Sequence, residues 1–210
     1  MLCYARMEKK HIITLSGKPG SGKSSTADKI AEILNYTRHS AGDMVRHIIS
    51  ENKITLEEYN RLALEDHNLD TRIDDKLREL RDKSDIVVDS RLAFYWIPES
   101  FKVYLDLDLE IATSRIFKDT VSNNLRQSET TATDSLDDVA KHVRERISTE
   151  QTRFKRLYNI DPYDSSHFDL IINTSRQNPQ SVAIAIFDAY KDWLNSPIWK
   201  QHKSELPFRD

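Results

Sequence analysis

Residues 17–24 read Gly-Lys-Pro-Gly-Ser-Gly-Lys-Ser, and this octad constrains the fold more than any other stretch of the chain. It satisfies Gly-x-x-x-x-Gly-Lys-Ser/Thr, a pattern that average composition produces by chance in roughly 1% of chains of this length. The β-rich run His11-Ile12-Ile13-Thr14-Leu15-Ser16 leads into it, and a helical pattern, Lys23 to Leu34, leads out. That is the setting of a phosphate-binding loop. Glycines let successive backbone N–H groups turn inward around phosphate oxygens, and the following helix N-terminus adds partial positive charge. The spacing assigns Gly17, Lys18, Pro19, Gly20, Ser21, Gly22, Lys23, Ser24 and Ser25 to a bound nucleotide. Lys23 is expected to reach the β and γ phosphates, and the Ser24 hydroxyl to ligate Mg²⁺, so ATP and Mg²⁺ are the expected cofactors.

A phosphate loop specifies a nucleotide, not a reaction, and glycine usage narrows the choice. The 210 residues include only 4 glycines, where average usage gives about 15. Three lie in the loop and the fourth is Gly42, so glycine is expected only where backbone must approach a ligand or adopt unusual dihedrals. No aspartate has glycine three residues on, which excludes the GTPase switch. No glycine follows Gly42, which excludes the transporter ATPase signature. A small-molecule kinase or a degenerate nucleotide binder remains. The net charge of −3 disfavours a bulk nucleic-acid or membrane-surface partner, so anionic ligands must be held by local arginines. A single cysteine, Cys3, permits no intrachain disulfide. With no 18-residue apolar run and no signal-like first ten residues, the expectation is a cytoplasmic, monomeric protein without a membrane partner.

Short apolar runs alternate with helical stretches along the chain. Asp85–Asp89, Phe101–Asp106 and Phe168–Asn173 read as buried strands, and Tyr36–Ser40 as a weaker one. This βαβ alternation predicts a single α/β domain over residues 1–210 with a mostly parallel sheet covered on both faces. Thr55-Leu56-Glu57-Glu58 has the form of a capping box, and Asn178-Pro179 opens a last helix ending near Trp193 or Asn195, with Trp193 and Trp199 as its anchors. Two segments read as inserts: residues 43–84, helical and charged, and residues 119–158, which begin with a polar, mobile stretch from Ser122 to Asp138.

Candidate chemistry clusters at the predicted strand ends. Asp89 closes a strand expected beside the loop strand, where it either acts on Mg²⁺ or caps the next turn. A phosphoryl acceptor that is itself a phosphate needs bidentate guanidinium groups. Arg46 and Arg91 sit where ligands bind in open α/β folds. Residues 141–157 read as one amphipathic helix. Val143, Ile147, Phe154 and Leu157 form its apolar stripe, Glu150 falls in the middle, and Arg146 and Arg153 line one edge. A carboxylate on such a stripe needs partners, and arginines at i−4 and i+3 supply them, as an ion-pair network or as a phosphate grip.

Several segments together resemble the cytidylate kinases, in particular their compact archaeal-type branch. They are Ser40-Ala41-Gly42-Asp43-Met44-Val45-Arg46, Leu56–Asn60, Glu65-Asp66, Leu69-Asp70, Ile73-Asp74, Val87–Ala93, Tyr158–Asp161 and Phe168–Ser175, over roughly residues 11 to 190. The resemblance implies a three-layer P-loop fold, adenylate-kinase-like, with a parallel five-stranded sheet, an acceptor insert at 43–84 and a lid insert at 119–158. It implies transfer of the ATP γ-phosphoryl group to a nucleoside monophosphate, CMP or dCMP. Arg46 and Arg91 would hold the acceptor phosphate beside Gly42 and Asp43. Lid residues Arg146 and Arg153 would contact phosphates, Glu150 the acceptor sugar, and Arg115 would stand at the lid's edge over the donor. Bacterial cytidylate kinases read cytosine with an aspartate where this chain has Leu92, so acids or polar residues of the 43–84 insert, such as Asp43, Asp66 and Asp70, are expected to take that role. Kinases of another small acceptor (AMP, UMP or an alcohol), a non-catalytic nucleotide binder and an RNA-associated ATPase stay open.

Overall fold

The computed structural model describes residues 9–65, 67–122, 135–197 and 201–204. Its centre is β1 (Ile12–Gly17), a strand in which every residue is buried. Burial on both sides requires cover on both faces, and period-two alternation decides which residue meets which cover. Ile13 and Leu15 point to the side covered by α1 (Lys23–Leu34) and α8 (Pro179–Asn195). Ile12 packs on the other side with Leu77 and Leu80 of α4 (His67–Leu80) and Ala93 of α5 (Ala93–Trp96).

β1 pairs in parallel with β3 (Ile86–Asp89) on one side and β4 (Phe101–Asp106) on the other. β2 (Thr37–Ser40) lies outside β3, and β5 (Leu170–Asn173) outside β4. This is the five-stranded parallel sheet expected from the sequence. A short sixth strand, β6 (His202–Ser204), extends it beside β5, giving the order β2-β3-β1-β4-β5-β6. The register Leu15↔Asp89 and Ser40↔Asp89 brings the ends of β1, β2 and β3 level, at the edge where the loop after β1 begins.

The acceptor segment is α2 (Ala41–Asn52), α3 (Leu56–Glu65) and α4, with a small core of Ile48, Ile49, Tyr59 and Ala63. α2 starts where the Ser40 hydroxyl accepts from Asp43 N–H, and α3 where the Thr55 hydroxyl accepts from Glu58 N–H. The lid segment pairs α6 (Leu109–Ser122) with α7 (Leu136–Tyr158) through Ile116, Val139 and Val143. α7 begins earlier than the expected 141. Ser135 and Asp138 close a capping box, so residues read as the end of a mobile polar stretch are the start of the helix. Residues 123–134 of that stretch, like Asp66 and Trp199, lie outside the described residues. α8 opens at Asn178 with Pro179 at its first position and ends at Asn195, and Trp193 packs on Phe101 and Tyr190 in the core.

Candidate active site

All three glycines of the loop after β1 take positive φ. Gly17 has φ 145°, and a Cβ there would stand 2.3 Å from the Leu105 carbonyl oxygen, so only glycine lets β1 and β4 close on each other at this point. Gly22 has φ 80° and forms the left-handed step directly before α1. Gly42 lines the same cleft but takes no unusual dihedral. It lies in the first turn of α2, where a Cβ would meet Arg46 at an ordinary 3.5 Å, so no protein neighbour demands glycine there.

Lys23 Nζ donates to the Gly17 carbonyl at 3.0 Å and the Lys18 carbonyl at 3.2 Å, folding back across the loop. Burial pushes its pKa well below the usual lysine range, and Arg91 and Arg146 add to the shift against the opposing pull of Asp89 and Glu150. Lys18 is turned to the far side of the loop, 2.7 Å from Asp106. Ser24 Oγ donates to Asp89 Oδ2 at 2.8 Å, which brings together the hydroxyl and carboxylate assigned to the metal. Asp89 is 5% exposed. Mg²⁺ takes hard oxygens and keeps most of its shell as water and substrate phosphate. A hydroxyl and one buried carboxylate at hydrogen-bond distance fit that demand, although the described residues include no cluster of three or more acids and histidines able to hold a metal alone.

Across the cleft, Glu150 gathers cations from two elements. Arg91, just beyond β3, donates from Nε to Glu150 Oε2 at 2.8 Å, and Arg146, one turn earlier on α7, from Nε to Oε1 at 3.1 Å. The Tyr163 hydroxyl also donates to Oε2. Burial alone would raise the Glu150 carboxyl, but the two guanidinium groups and Tyr163 outweigh it and hold the carboxyl far below the usual range. Arg91 responds in the opposite sense: burial opposes its charge, yet Glu150 and Tyr163 raise its pKa further. Glu150 is therefore ionised throughout the working pH range.

Arg153 goes elsewhere. It is 6% exposed and its Nε lies 3.6 Å from Asp70 Oδ2 on α4, so it joins the lid helix to the acceptor segment. One turn on from Asp70, Asp74 accepts from Trp96 Nε1 at 2.9 Å and from the Tyr158 hydroxyl at the end of α7. Burial raises the Asp74 pKa against both hydrogen bonds. Arg46 pairs with Asp43 within α2. Burial lifts the Asp43 carboxyl, but Arg46, Arg38 and Ser40 bring it below its ordinary value. Arg115, on α6, donates to the carbonyls of Thr174 at 2.7 Å and Ser175 at 3.3 Å after β5.

One cleft of about 580 Å³ is lined by the loop, Ser24, Ser25, Gly42, Arg46, Asp70, Asp89, Arg91, Arg115, Arg146, Glu150 and Arg153. Of the assigned residues that are described, only Gly17, Lys18 and Asp43 are outside its lining. Sequence reasoning missed Arg38, Tyr163, Asp74, Trp96 and Tyr158. Tyr158 and Asp74 stood inside segments that carried the family resemblance, a usable signal. Nothing local marks Tyr163.

A parallel sheet whose central strand ends in a phosphate loop, with a buried acid at the neighbouring strand end and arginines carried in on helical inserts, defines a P-loop kinase. The description of the cytidylate kinase-like family matches residues 12–176, and the chain belongs to that family. It is 37% identical over 180 residues to a cytidylate kinase of Methanocella arvoryzae, covering 85% of this chain and 95% of that one. It is 35% identical over 181 residues to a cytidylate kinase of Halobacterium salinarum, covering 85% of this chain and 88% of that one. Among solved structures, a shikimate kinase from Bacteroides thetaiotaomicron superposes with TM-score 0.58 at 12% identity over 88% of this chain and 98% of its own. A gluconokinase from Sinorhizobium meliloti does so with TM-score 0.56 at 13% identity, over 90% and 95%. These two share the fold alone.

Proposed function

We propose that the protein transfers the γ-phosphoryl group of ATP to cytidine monophosphate, giving ADP and CDP, and accepts the deoxynucleotide likewise. The observation that carries this reading is one cleft with a phosphate cradle at one end and an arginine-rich acceptor segment at the other. The family membership supplies the cytosine preference.

The acceptor phosphate is already anionic, so no strong general base is needed, and catalysis rests on positioning and charge neutralisation. Backbone N–H groups of Gly20 to Ser25 cradle the donor phosphates. Lys23 exchanges its carbonyl partners for the β and γ oxygens. Ser24 and Asp89 would hold Mg²⁺, which would supply charge withdrawal from the triphosphate. Arg46 and Arg91 grip the acceptor phosphate, and Arg146 meets the transferring group. As phosphates take over the two guanidinium groups, Glu150 turns to the acceptor sugar. Arg115 closes the donor end.

For the base we favour Asp70 over Asp43: Arg38 and Arg46 hold Asp43 at the phosphate end, whereas Asp70 lies beside Arg153 where the acceptor segment meets the lid helix. A carboxylate accepts from the exocyclic amino group of cytosine and repels the carbonyl that replaces it in uracil. A single-chain enzyme in a reducing cytoplasm completes the reading, supported by the lone Cys3. Among the described residues no helix is long and apolar enough to cross a membrane.

The test is ADP release from Mg·ATP with CMP, dCMP, UMP, AMP, GMP and shikimate offered separately. Selective turnover of CMP and dCMP is expected. Preference for another acceptor, or hydrolysis that ignores all of them, overturns the proposal.

A further inference from the structure

Arg38 belongs to neither the phosphate loop nor the acceptor motif, yet its guanidinium meets three acids from three elements. Its Nη2 lies 3.4 Å from Asp89 Oδ2 at the end of β3, and its Nε lies 3.3 Å from Asp28 Oδ1 on α1. Its Nη1 donates to Asp43 Oδ2 in the first turn of α2 at 3.2 Å. Two of these acids hold a second partner each. Asp89 Oδ2 accepts from Ser24, and Asp43 Oδ1 accepts from Arg46. The outcome is an unbroken polar chain, Ser24–Asp89–Arg38–Asp43–Arg46, running from the donor loop to the acceptor arginine.

The middle of that chain is sheltered. The Arg38 side chain is 21% exposed and that of Asp89 6%, so solvent ions screen the link between them little. A guanidinium presents its donors in a rigid planar fork. Arg38 therefore cannot lean toward one carboxylate without loosening its grip on another. Asp89 Oδ2 is also the atom through which Ser24 and Asp89 meet, so Arg38 shares its carboxylate with whatever cation the donor brings.

We propose that Arg38 is a positioning residue that couples the donor and acceptor halves of the cleft. This rests on the functional reading above and adds a sign to it. When Mg·ATP is bound, Arg38 loses part of its hold on Asp89 and leans on Asp43. Asp43 then holds Arg46 less firmly, and the Arg46 fork is freed for the acceptor phosphate. Linkage makes the effect mutual: CMP tightens Mg·ATP by the same factor that Mg·ATP tightens CMP.

The experiment is calorimetric titration of CMP into the protein, with and without Mg²⁺ and a non-hydrolysable ATP analogue, so the readout is an affinity ratio rather than turnover. The wild-type protein is expected to bind CMP about fivefold or more tightly in the presence of the analogue. Asp28→Asn removes the third acid on the Arg38 fork but leaves the Asp89–Arg38–Asp43 link, so a ratio above one is expected to persist. Arg38→Met and Asp43→Asn are expected to bring it close to one. A merely structural role for Arg38 would weaken CMP binding in both conditions and leave the ratio intact. Should Arg38→Met fail to fold, Asp43→Asn carries the test. A wild-type ratio of one, or an undiminished ratio in Asp43→Asn, overturns the coupling alone. Failure of the wild-type protein to bind CMP under either condition overturns the functional reading and this one with it.

Discussion

Burial, and after it the charges of Arg91 and Arg146, disfavour the charge of Lys23. Its pKa is depressed, so the charge that meets ATP is lost as pH rises, and sooner than for an ordinary lysine near 10.4. The KM for ATP is therefore expected to climb on the alkaline side well before that value, a limb that Lys23→Arg removes. Lys23→Ala should fold normally by circular dichroism while kcat falls about 10² to 10³-fold; near-normal turnover would refute the assignment. Glu150 is the complementary case. Its carboxyl is depressed, so its contribution to stability is present above the unfolded value near 4.3 and fades as pH falls below it. Glu150→Gln leaves Arg91 and Arg146 without their buried counter-charge, a loss of about 3 kcal/mol at neutral pH. Chemical denaturation across pH 3 to 7 should show a shallower acid limb in the variant than in the wild type. Asp70→Asn tests the base. Its kcat/KM for CMP should drop about 10 to 100-fold while the CMP-to-UMP preference shrinks.

The lid helix shows what periodicity reveals and what it hides. A stripe of Val143, Ile147, Phe154 and Leu157 with Glu150 at its centre was legible, because a 3.6-residue repeat leaves a carboxylate on an apolar face no place to hide. The structure adds that Val143, Glu150 and Phe154 are buried. The start of α7 was not legible, because Ser135 and Asp138 look like loop until their reciprocal capping is seen. Gly42 was legible in part: it lines the cleft, as the scarcity of glycine suggested, while its helical backbone needs no glycine. The end of α7 is latched to α4 and α5 by Tyr158 through Asp74, whose raised pKa means that its ionised form is the strained one. Stability linked to Asp74 is present at low pH and declines as pH rises through its folded value. Tyr158→Phe removes a donor from that carboxylate, so the loss of stability should be larger at pH 7 than at pH 4, read by thermal unfolding at both.

Across the whole chain, β1, β3, β4 and β5 were readable because buried parallel strands advertise themselves as short apolar runs, whereas the polar edge strands β2 and β6 were read weakly or not at all. The long-range charge pattern was not readable. Arg38 acquires meaning only once α1, α2 and β3 deliver Asp28, Asp43 and Asp89 to one point, and no spacing in the sequence records that meeting. Ile186→Ala on α8, at a fully buried position between α8 and the sheet, should cost about 3 kcal/mol in urea unfolding without touching substrate preference. A ligand that binds only the folded chain should raise its stability by about 2.7 kcal/mol at a hundred times its Kd, so ATP and CMP together should lift the melting temperature more than either alone. The knot of Arg91, Arg146 and Tyr163 around Glu150 has one more consequence. The protein carries an internal mimic of its own substrate's charge, and an incoming anion must displace a resident one. Chloride and acetate, with a single diffuse or single ionic charge, gain little from that exchange, whereas a phosphate with two charges and three oxygens gains much. On the roles proposed for Arg91 and Arg146, the cleft is expected to favour doubly charged phosphate over chloride and acetate, which competition of the three anions against CMP binding would show.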